Sequence, residues 1–279
     1  MSRDLRVATA QPQISGDLSH NLQQHISLAH EAKQDKADII HFPESSLTGY
    51  PTVDFSDFTN FPQQQLDDAL ATLQQEAASL GIWMIVGGHH YRDGFPKPTN
   101  CLWVLNDRGN IECRYDKRIC AGNPGELEHA HYQPGLMVVT FQLKGIPCGL
   151  LICHEWRYPE LYREQQRLGT EVLFHSFYDR IVDANEYLEQ GEEQGSLVQG
   201  TVRGNAANNY FWISASNTGQ PESNFGSFLV RPDGKIHAQA QRNEASVLVN
   251  TIDLSAVYSD PSKPWRERAR EGVLHSMTL

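Results

Sequence analysis

The sequence predicts a single α/β domain with two β-sheets and helices on their outer faces. Short apolar runs typical of strands alternate with helical patterns along all 279 residues. No internal repeat, low-complexity tract or linker rich in Pro, Gly and Ser interrupts this alternation. Hydrophobic residues make up 39% and charged residues 20%, as in globular proteins that bury a core without cross-links. We therefore expect one domain over residues 1–279, with a charged C-terminal tail from about residue 260 that packs on a partner or frays.

The first part of the chain holds two amphipathic helices among short strands. Residues 18–33 and 63–80 repeat apolar side chains every three to four positions, the spacing of a helix with one buried face. The second pattern stops at Gly81, a favourable helix C-cap. Three stretches in this region are predicted strands: LRVATAQ, ADIIHFPE and WMIVGGHHY.

The second part of the chain is richer in strands. Two hairpins are predicted, one around Arg108-Gly109 and one around Lys144-Gly145. A helix opens at Pro159, and another covers 183–209, where polar residues around 189–195 would fit a bend. Further strands are predicted in EVLFHSF, YFWISASN, GSFLVRPDGKIHAQA, with its Pro-Asp-Gly turn, and SVLVNTIDL.

Charge and cysteine usage limit the classes of partner. The formal net charge is −11, which argues against nucleic acid because phosphate binding needs clustered Lys and Arg. No segment has the roughly 18 consecutive apolar residues of a membrane span, and no signal-peptide core follows the N-terminus. The five cysteines are odd in number and scattered, which favours a reduced protein over a disulfide scaffold. We therefore expect a cytoplasmic protein without nucleic-acid or membrane partners.

Metal-ligating patterns are also missing from the sequence. No CxxC or HExxH motif occurs. The pairs His89-His90 and His129/His131 are not near two cysteines at zinc-finger spacing. We expect no metal and no organic cofactor.

Three polar residues stand at the ends of predicted strands, where open α/β sheets place their chemistry. Glu44 follows DIIHFP, Lys117 closes CRYDK and Cys153 closes CGLLIC. Taken singly, each has a structural interpretation: Glu44 as a turn cap, Lys117 as a solvated strand end and Cys153 as a small core residue. The three residue types together, however, match the needs of acyl transfer.

A cysteine nucleophile must lose its proton before it attacks, and a free thiol with a pKa near ~8.5 is mostly protonated at neutral pH. His154 is adjacent to Cys153, but neighbours on a strand point to opposite faces, so it is poorly placed as the base. A buried glutamate with a raised pKa can accept the proton instead. A lysine can then stabilise the thiolate and the oxyanion, so Glu44, Lys117 and Cys153 would form a consistent acyl-transfer site.

The sequence around these residues is part of a pattern that covers nearly the whole chain. It runs through VATAQPQISGD, FPESSLTGYP around Glu44, GNIECRYDKRIC around Lys117, GLLICHEWRYPEL around Cys153, NNYFWISASNTG and GSFLVRPDGKI. In this order and at these separations, the stretches resemble the nitrilase superfamily, the carbon-nitrogen hydrolases. Each stretch alone is weakly specific, and the combination carries the resemblance.

The resemblance implies a fold and a set of catalytic roles. It implies a four-layer α-β-β-α sandwich with two mainly mixed sheets, usually assembled into dimers or larger homo-oligomers. Cys153 would be the nucleophile, Glu44 the general base and acid, and Lys117 the oxyanion stabiliser, helped by the backbone N–H of His154. A second glutamate usually precedes a Pro-Gly pair, and Glu128 fits this position better than Glu126, for which a surface acid is the alternative interpretation. Glu128 would hold Lys117 and position the substrate.

The resemblance also implies which residues line the substrate pocket. It indicates a partly aromatic pocket with a few polar groups, formed with His154 by Tyr50, Trp156, His175, Phe177 and Tyr178. Arg180 would either meet a substrate carboxylate or form a surface salt bridge, and the sequence favours neither.

Two departures from the family pattern limit the assignment to a branch. Glu155 stands where the family often has aspartate, and Asn208 where it often has glutamate. Nitrilases usually have Trp-Glu after the cysteine, and His154-Glu155 makes a nitrile substrate less favoured. We expect an amidase acting on a small aliphatic amide or an N-carbamoyl amine, with release of ammonia. The alternatives are a nitrilase, an acyltransferase, or a non-catalytic interaction protein of the same fold.

Overall fold

The computed structural model describes residues 3–277, so the extreme ends of the expected domain lie outside the described part. Strands lie at β1 Asp4–Gln11, β2 Ile39–His41, β3 Trp83–His90, β4 Thr99–Leu105, β5 Ile111–Asp116, β6 Thr140–Leu143, β7 Ile146–Ile152, β8 Val172–Ser176, β9 Trp212–Ser216, β10 Phe228–Val230, β11 Ile236–Gln239 and β12 Ser246–Asp253. Helices lie at α1 Leu18–Gln34, α2 Gln63–Leu80, α3 Glu128–His131, α4 Pro159–Arg167, α5 Ala184–Asn209 and α6 Lys263–Arg270.

The strands form two six-stranded mixed sheets. The first has the order β12-β1-β2-β3-β4-β5, and the second has the order β11-β10-β9-β8-β7-β6. In each sheet the three inner strands are parallel, β1-β2-β3 in the first and β7-β8-β9 in the second. Antiparallel strands flank them on both sides.

Three hydrophobic layers hold the elements together in a four-layer α-β-β-α sandwich. One layer packs α1 and α2 on the first sheet, the central layer fills the space between the sheets, and the third packs α4 and α5 on the second sheet. Successive strand residues point to opposite faces. Ile39 therefore enters the central layer and Ile40 the outer one, as Leu150 and Leu151 do in the second sheet. The expected fold class is confirmed.

The predicted helices and hairpins agree with the structure where local signals are strong. α2 ends at Gly81, whose φ of 58° is the left-handed C-cap that glycine adopts without steric cost. β6 and β7 pair in antiparallel register across Lys144 and Gly145, both with positive φ. The strand predicted from Tyr210 starts later, at Trp212, because Tyr210 is the left-handed C-cap of α5.

The sequence would fit a bend around residues 189–195, but no bend occurs there. α5 is one continuous helix that begins after its N-cap, Asp183. Gly195, within this stretch, serves close packing instead. A Cβ on Gly195 would lie 2.0 Å from the carbonyl oxygen of Asn224, so the loop carrying Asn224 lies directly against the helix backbone. The polar side chains of this stretch mostly face outwards.

The charged segment after residue 260 was expected to pack on a partner or to fray. It instead forms α6 against its own chain. Arg266 pairs with Asp260 and donates to the carbonyl oxygen of Asn208 at 3.1 Å, at the end of α5.

Candidate active site

Glu44 and Lys117 meet in a buried site at one edge of the first sheet. Glu44 lies in the segment after β2, and Lys117 follows β5 directly. Both side chains are almost fully buried, and Lys117 Nζ donates to Glu44 Oε1 at 2.8 Å. Asn100 Nδ2, from β4 between them in space, donates to the same oxygen at 2.7 Å. An isolated buried charge is costly, so this pairing is a requirement for burying either group.

Glu128, rather than Glu126, is the second glutamate of the site. It opens the short helix α3, and Lys117 Nζ donates to its Oε1 at 2.6 Å. Tyr50 OH donates to the same oxygen at 2.7 Å, and the Ala121 N–H donates to Oε2 at 2.6 Å. Glu126 accepts from a neighbouring asparagine side chain on the exposed surface. Of the two candidate glutamates, Glu128 is therefore the one that contacts Lys117, and its catalytic role stays a prediction.

Cys153 comes from the second sheet, at the point where β7 ends. It begins a 3-10 turn, Cys153–Arg157, with a φ of 37°. A positive φ is unusual for a residue with a side chain and marks a constrained turn. The residue is partly exposed, and the Glu44 carboxyl and the backbone N–H of Tyr178 lie near enough to its thiol to influence its pKa. The Tyr178 N–H also donates to Glu44 Oε2 at 3.1 Å.

Electrostatics keep the cysteine protonated at rest and the lysine charged. Burial raises the pKa of the Cys153 thiol well above its usual range, with Glu44 adding to this effect and Lys117 opposing it. Burial also raises the pKa of Glu44, and Lys117 offsets only part of that rise. Burial acts to raise the pKa of Glu128 too, but Lys117 and its other donors outweigh it, so this pKa is lowered. The two carboxylates outweigh desolvation and raise the pKa of Lys117.

Glu155 ties the cysteine turn to the lysine segment. Its fully buried carboxylate accepts from the Ile152 N–H at 2.8 Å and from the Arg118 N–H at 2.8 Å. Tyr115 OH donates to it as well, at 2.7 Å. Ile152 precedes Cys153 and Arg118 follows Lys117, so one side chain fixes the backbone beside both.

Tyr50 and Tyr178 form one wall beside the site. Their rings stack with centroids 5.1 Å apart and planes 3° from parallel. Asp54 Oδ2 accepts from the Tyr50 N–H at 2.7 Å and from Tyr178 OH at 2.9 Å. Arg180 lies at the edge of this group and pairs with Glu222 at 3.2 Å, which is the salt-bridge alternative for that arginine.

The other residues expected to line the pocket lie behind the cysteine turn. Trp156 and Phe177 belong to the outer hydrophobic layer of the second sheet. His175 points the same way, stacks on Phe177 at 4.1 Å, and places Nε2 3.2 Å from the carbonyl oxygen of Cys153. In these positions the three side chains support the cysteine turn from behind. His154 is partly exposed, with Nε2 3.5 Å from Tyr158 OH.

Sequence reasoning missed Asn100, Asp54 and the Ala121 N–H. Asn100 lies inside an apolar strand stretch and carries no local signal of its role. Asp54 follows Tyr50 by four positions in a loop whose path the sequence does not reveal. Neither contact follows from spacing along the chain.

A model of the carbon-nitrogen hydrolase family matches residues 6–262. The chain belongs to the carbon-nitrogen hydrolase family. This membership confirms the resemblance found at the motifs around Glu44, Lys117 and Cys153, which the structure brings to one place.

Known members of this family and fold cover nearly the whole chain. An N-carbamoylputrescine amidase from Arabidopsis thaliana is 26% identical over 275 residues, covering 92% of this chain and 89% of that protein. A glutamine-dependent NAD(+) synthetase from Acinetobacter baylyi is 25% identical over 260 residues, but the chain spans only 45% of its length. An amidase from Nesterenkonia sp. AN1, solved in complex with butyramide, has a TM-score of 0.78 at 20% identity, covering 97% of both chains. At that identity the likeness shows the shared fold.

Two other kinds of site are absent from residues 3–277. Within 3–277, no group of three or more His, Cys, Asp or Glu side chains is arranged to hold a metal ion. In the same range, no helix is long and apolar enough to span a membrane.

Proposed function

We propose that this carbon-nitrogen hydrolase is an amidase that acts on a small aliphatic amide or an N-carbamoyl amine through a Glu44-Lys117-Cys153 triad. The observation that carries the proposal is the convergence of these side chains. Lys117 donates to Glu44 at 2.8 Å, and the Cys153 thiol lies near enough to the Glu44 carboxyl for each to shift the pKa of the other. A nucleophile, a buried base with a raised pKa and a fixed cation then lie within reach of one substrate carbon.

In the first step, Glu44 accepts the Cys153 proton while Sγ attacks the carbonyl carbon of the amide. The carbonyl π electrons move to oxygen, and the resulting oxyanion is stabilised by Lys117 and the backbone N–H of His154. The raised pKa of the thiol means that the proton moves during the attack, since a thiolate is not formed beforehand. The raised pKa of Glu44 makes it a suitable acceptor.

In the second step, the oxyanion collapses and the C–N bond breaks. Glu44 gives its proton to the leaving nitrogen, ammonia departs, and a thioester remains on Cys153. Water then attacks the thioester while Glu44 takes one proton from it, and that proton returns to Sγ as the acid leaves. For an amide, the overall reaction is amide plus water to carboxylic acid plus ammonia. For an N-carbamoyl amine, the acid released is a carbamic acid, which breaks down to the amine and CO2. In both cases the thioester divides the reaction into two easier steps.

Glu128 makes Lys117 a fixed cation. Two carboxylates bracket its Nζ at 2.8 and 2.6 Å, which raises the lysine pKa and holds its position. When Glu44 becomes protonated in the first step, Glu128 remains as the ionised partner because its own pKa is lowered. Lys117 therefore stays charged while the oxyanion forms.

The substrate class is supported by the relatives and by the residues after the cysteine. The Arabidopsis relative is named for an N-carbamoyl amine and covers most of both chains. His154-Glu155 follows the cysteine, and this pair does not favour a nitrile. Homo-oligomer assembly and a cytoplasmic location stay predictions from the sequence.

The test is ammonia release from aliphatic amides, N-carbamoyl amines and nitriles, with wild type beside Cys153→Ala. We expect release from an amide or carbamoyl compound to be lost in this variant and kept in Cys113→Ala, a control at another partly exposed free cysteine. Mass spectrometry of quenched reactions should find the acyl group on Cys153. Undiminished turnover in Cys153→Ala would refute the mechanism, and a nitrile as best substrate would refute the amidase assignment.

A further inference from the structure

A chain of buried polar side chains crosses the space between the two sheets. It consists of Thr9 in β1, Ser214 in β9, His41 in β2 and Ser176 in β8, and ends at the carbonyl oxygen of Phe42. We call it the inter-sheet polar chain. All four side chains are buried, and the proposed amidase mechanism uses none of them.

Every link of the inter-sheet polar chain has hydrogen-bond length. Thr9 Oγ1 and Ser214 Oγ are 2.8 Å apart, and Ser214 Oγ is 2.9 Å from His41 Nδ1. His41 Nε2 is 2.8 Å from Ser176 Oγ, which donates to the Phe42 carbonyl oxygen at 3.0 Å. Each link joins one sheet to the other, so the chain crosses between them four times.

The direction of every hydrogen bond in the chain follows from the group at its end, the carbonyl oxygen of Phe42. A carbonyl oxygen only accepts, so the single hydroxyl proton of Ser176 is donated to Phe42. Ser176 Oγ must therefore accept from His41 Nε2–H. A neutral imidazole with its proton on Nε2 accepts at Nδ1, so Ser214 donates to His41 and Thr9 donates to Ser214. Burial lowers the pKa of His41 well below its usual range, which keeps the ring neutral. A single proton arrangement therefore satisfies all five groups.

The chain ends beside the backbone that carries the proposed base. The Phe42 carbonyl lies two positions before Glu44 along the same segment. Ser176 is the last residue of β8, and Tyr178, two positions later, donates its N–H to Glu44 Oε2 at 3.1 Å. The hydrogen bond from Ser176 to Phe42 therefore fastens the segment that presents Glu44 to the segment that presents one of its donors.

The same serine is aligned with the nucleophile. Ser176 is the register partner of Ile152 in the parallel pair β7-β8, and Cys153 follows Ile152. The base reaches the site from the first sheet and the nucleophile from the second, and hydrophobic packing alone is tolerant of small shifts. Directional hydrogen bonds between the sheets, in contrast, fix distance and register.

We propose that His41, acting through Ser176 and the Phe42 carbonyl, is a positioning residue that sets the distance between Glu44 and Cys153. The proposal rests on the proposed function, since it assumes that these two groups exchange a proton. It assigns a catalytic consequence to a buried histidine that does not touch the substrate.

The test compares three substitutions of His41 by amide turnover and by the pH dependence of Cys153 alkylation with iodoacetamide. His41→Leu removes both ring nitrogens, His41→Gln can replace the Nε2–H donor to Ser176, and His41→Asn can replace only the acceptor toward Ser214. We expect His41→Leu and His41→Asn to lower kcat by about 10- to 100-fold with KM little changed, since a misplacement of about 1 Å can cost 10²-fold. His41→Gln should recover most of the loss.

Alkylation of Cys153 should detect the displacement of Glu44 from the thiol independently of any measurement of amide turnover. If Glu44 moves relative to the thiol, the pH midpoint of alkylation should shift in His41→Leu, because Glu44 is among the groups that set the Cys153 pKa. Gln165→Leu is the stability control: it removes another buried amide, which bonds α4 to β7 and is not part of the inter-sheet polar chain. It should lower Tm and leave both kcat per folded molecule and the alkylation midpoint unchanged.

Wild-type kcat in His41→Leu, or equal loss of kcat in Gln165→Leu, would overturn the proposal. Failure of His41→Gln to exceed His41→Asn would overturn the route through Ser176. If His41→Leu does not fold, Ser176→Ala serves instead, with an expected loss of about tenfold in kcat. A different outcome, turnover retained in Cys153→Ala, would refute the proposed function itself rather than this inference.

Discussion

At the scale of single residues, Glu155 shows how one carboxylate can order a site without touching the substrate. The sequence marked it as a departure, since the family often has the shorter aspartate there. In the structure its two oxygens are shared among the backbone N–H groups of Ile152 and Arg118 and the hydroxyl of Tyr115. The added methylene gives the carboxylate reach to both the cysteine turn and the lysine segment.

We expect Glu155→Gln to destabilise the protein by about 2 kcal/mol and to lower kcat at least about tenfold. The amide NH₂ would face donors that need an acceptor, and a buried donor left unpaired costs about 1–3 kcal/mol. Urea unfolding measures the loss of stability, and amide turnover per folded molecule measures the loss of kcat. Glu155→Asp keeps the negative charge, so it should lose less stability and less kcat than Glu155→Gln. Unchanged unfolding and turnover in Glu155→Gln would contradict the role assigned to the carboxylate.

At the scale of elements, α5 shows that composition can suggest a bend where packing requires a straight helix. Glycine lowers helix propensity, and polar residues surround Gly191 and Gly195. Both glycines are buried, and Gly195 lies against the backbone of Asn224. Their small size lets another segment approach the helix, so they are compatible with a continuous helix.

The same helix provides a matched pair of substitutions. Gly195→Ala should destabilise the protein by about 1–3 kcal/mol, since its Cβ would lie 2.0 Å from a carbonyl oxygen and the backbone would have to move. Gly200→Ala meets open space and should stabilise by about 0.5–1 kcal/mol through helix propensity. Urea unfolding of both variants measures the difference. Equal effects would mean that propensity alone governs these positions.

At the scale of the whole molecule, buried neutral histidines make stability depend on pH. Burial lowers the pKa of His25 to about 4 and of His89 and His175 to about 3. In the unfolded chain a histidine takes up its proton near pH 6.5. Between these values the unfolded state binds more protons, so acidification favours unfolding. Carboxyls with raised pKa values, such as Glu44 and Asp54, act in the opposite direction above their unfolded-state pKa, because there the folded state binds more protons than the unfolded state.

His25→Gln isolates one of these contributions. From pH 7 to pH 5, wild type should lose about 2 kcal/mol more of its unfolding free energy than the variant, given 1.36 kcal/mol per pKa unit. Urea unfolding at several pH values gives the two slopes, and the comparison cancels the carboxyl contributions common to both proteins. Parallel slopes would show that His25 titrates normally in the folded state.

Much of the site was predictable because its signals are local. Glu44 and Cys153 each follow an apolar run, and Lys117 closes a more polar strand, so all three stand where predicted strands end. Glu128 was located by counting back from Pro134-Gly135, and its contacts agree. Trp156, His175 and Phe177 were expected in the pocket because they are near the cysteine or in a pocket segment, but the strand period and the turn direct them into the layer behind it.

The sequence by itself determined the α/β class, the alternation of buried faces and the residue types at the strand ends, because each depends on a few neighbouring positions. Only the tertiary structure decided that Glu44 and Lys117 from one sheet meet Cys153 from the other. It also decided that His41 is bonded to Ser214, 173 positions away. Such contacts depend on how two complete sheets pack face to face, and no local pattern in the chain encodes that packing.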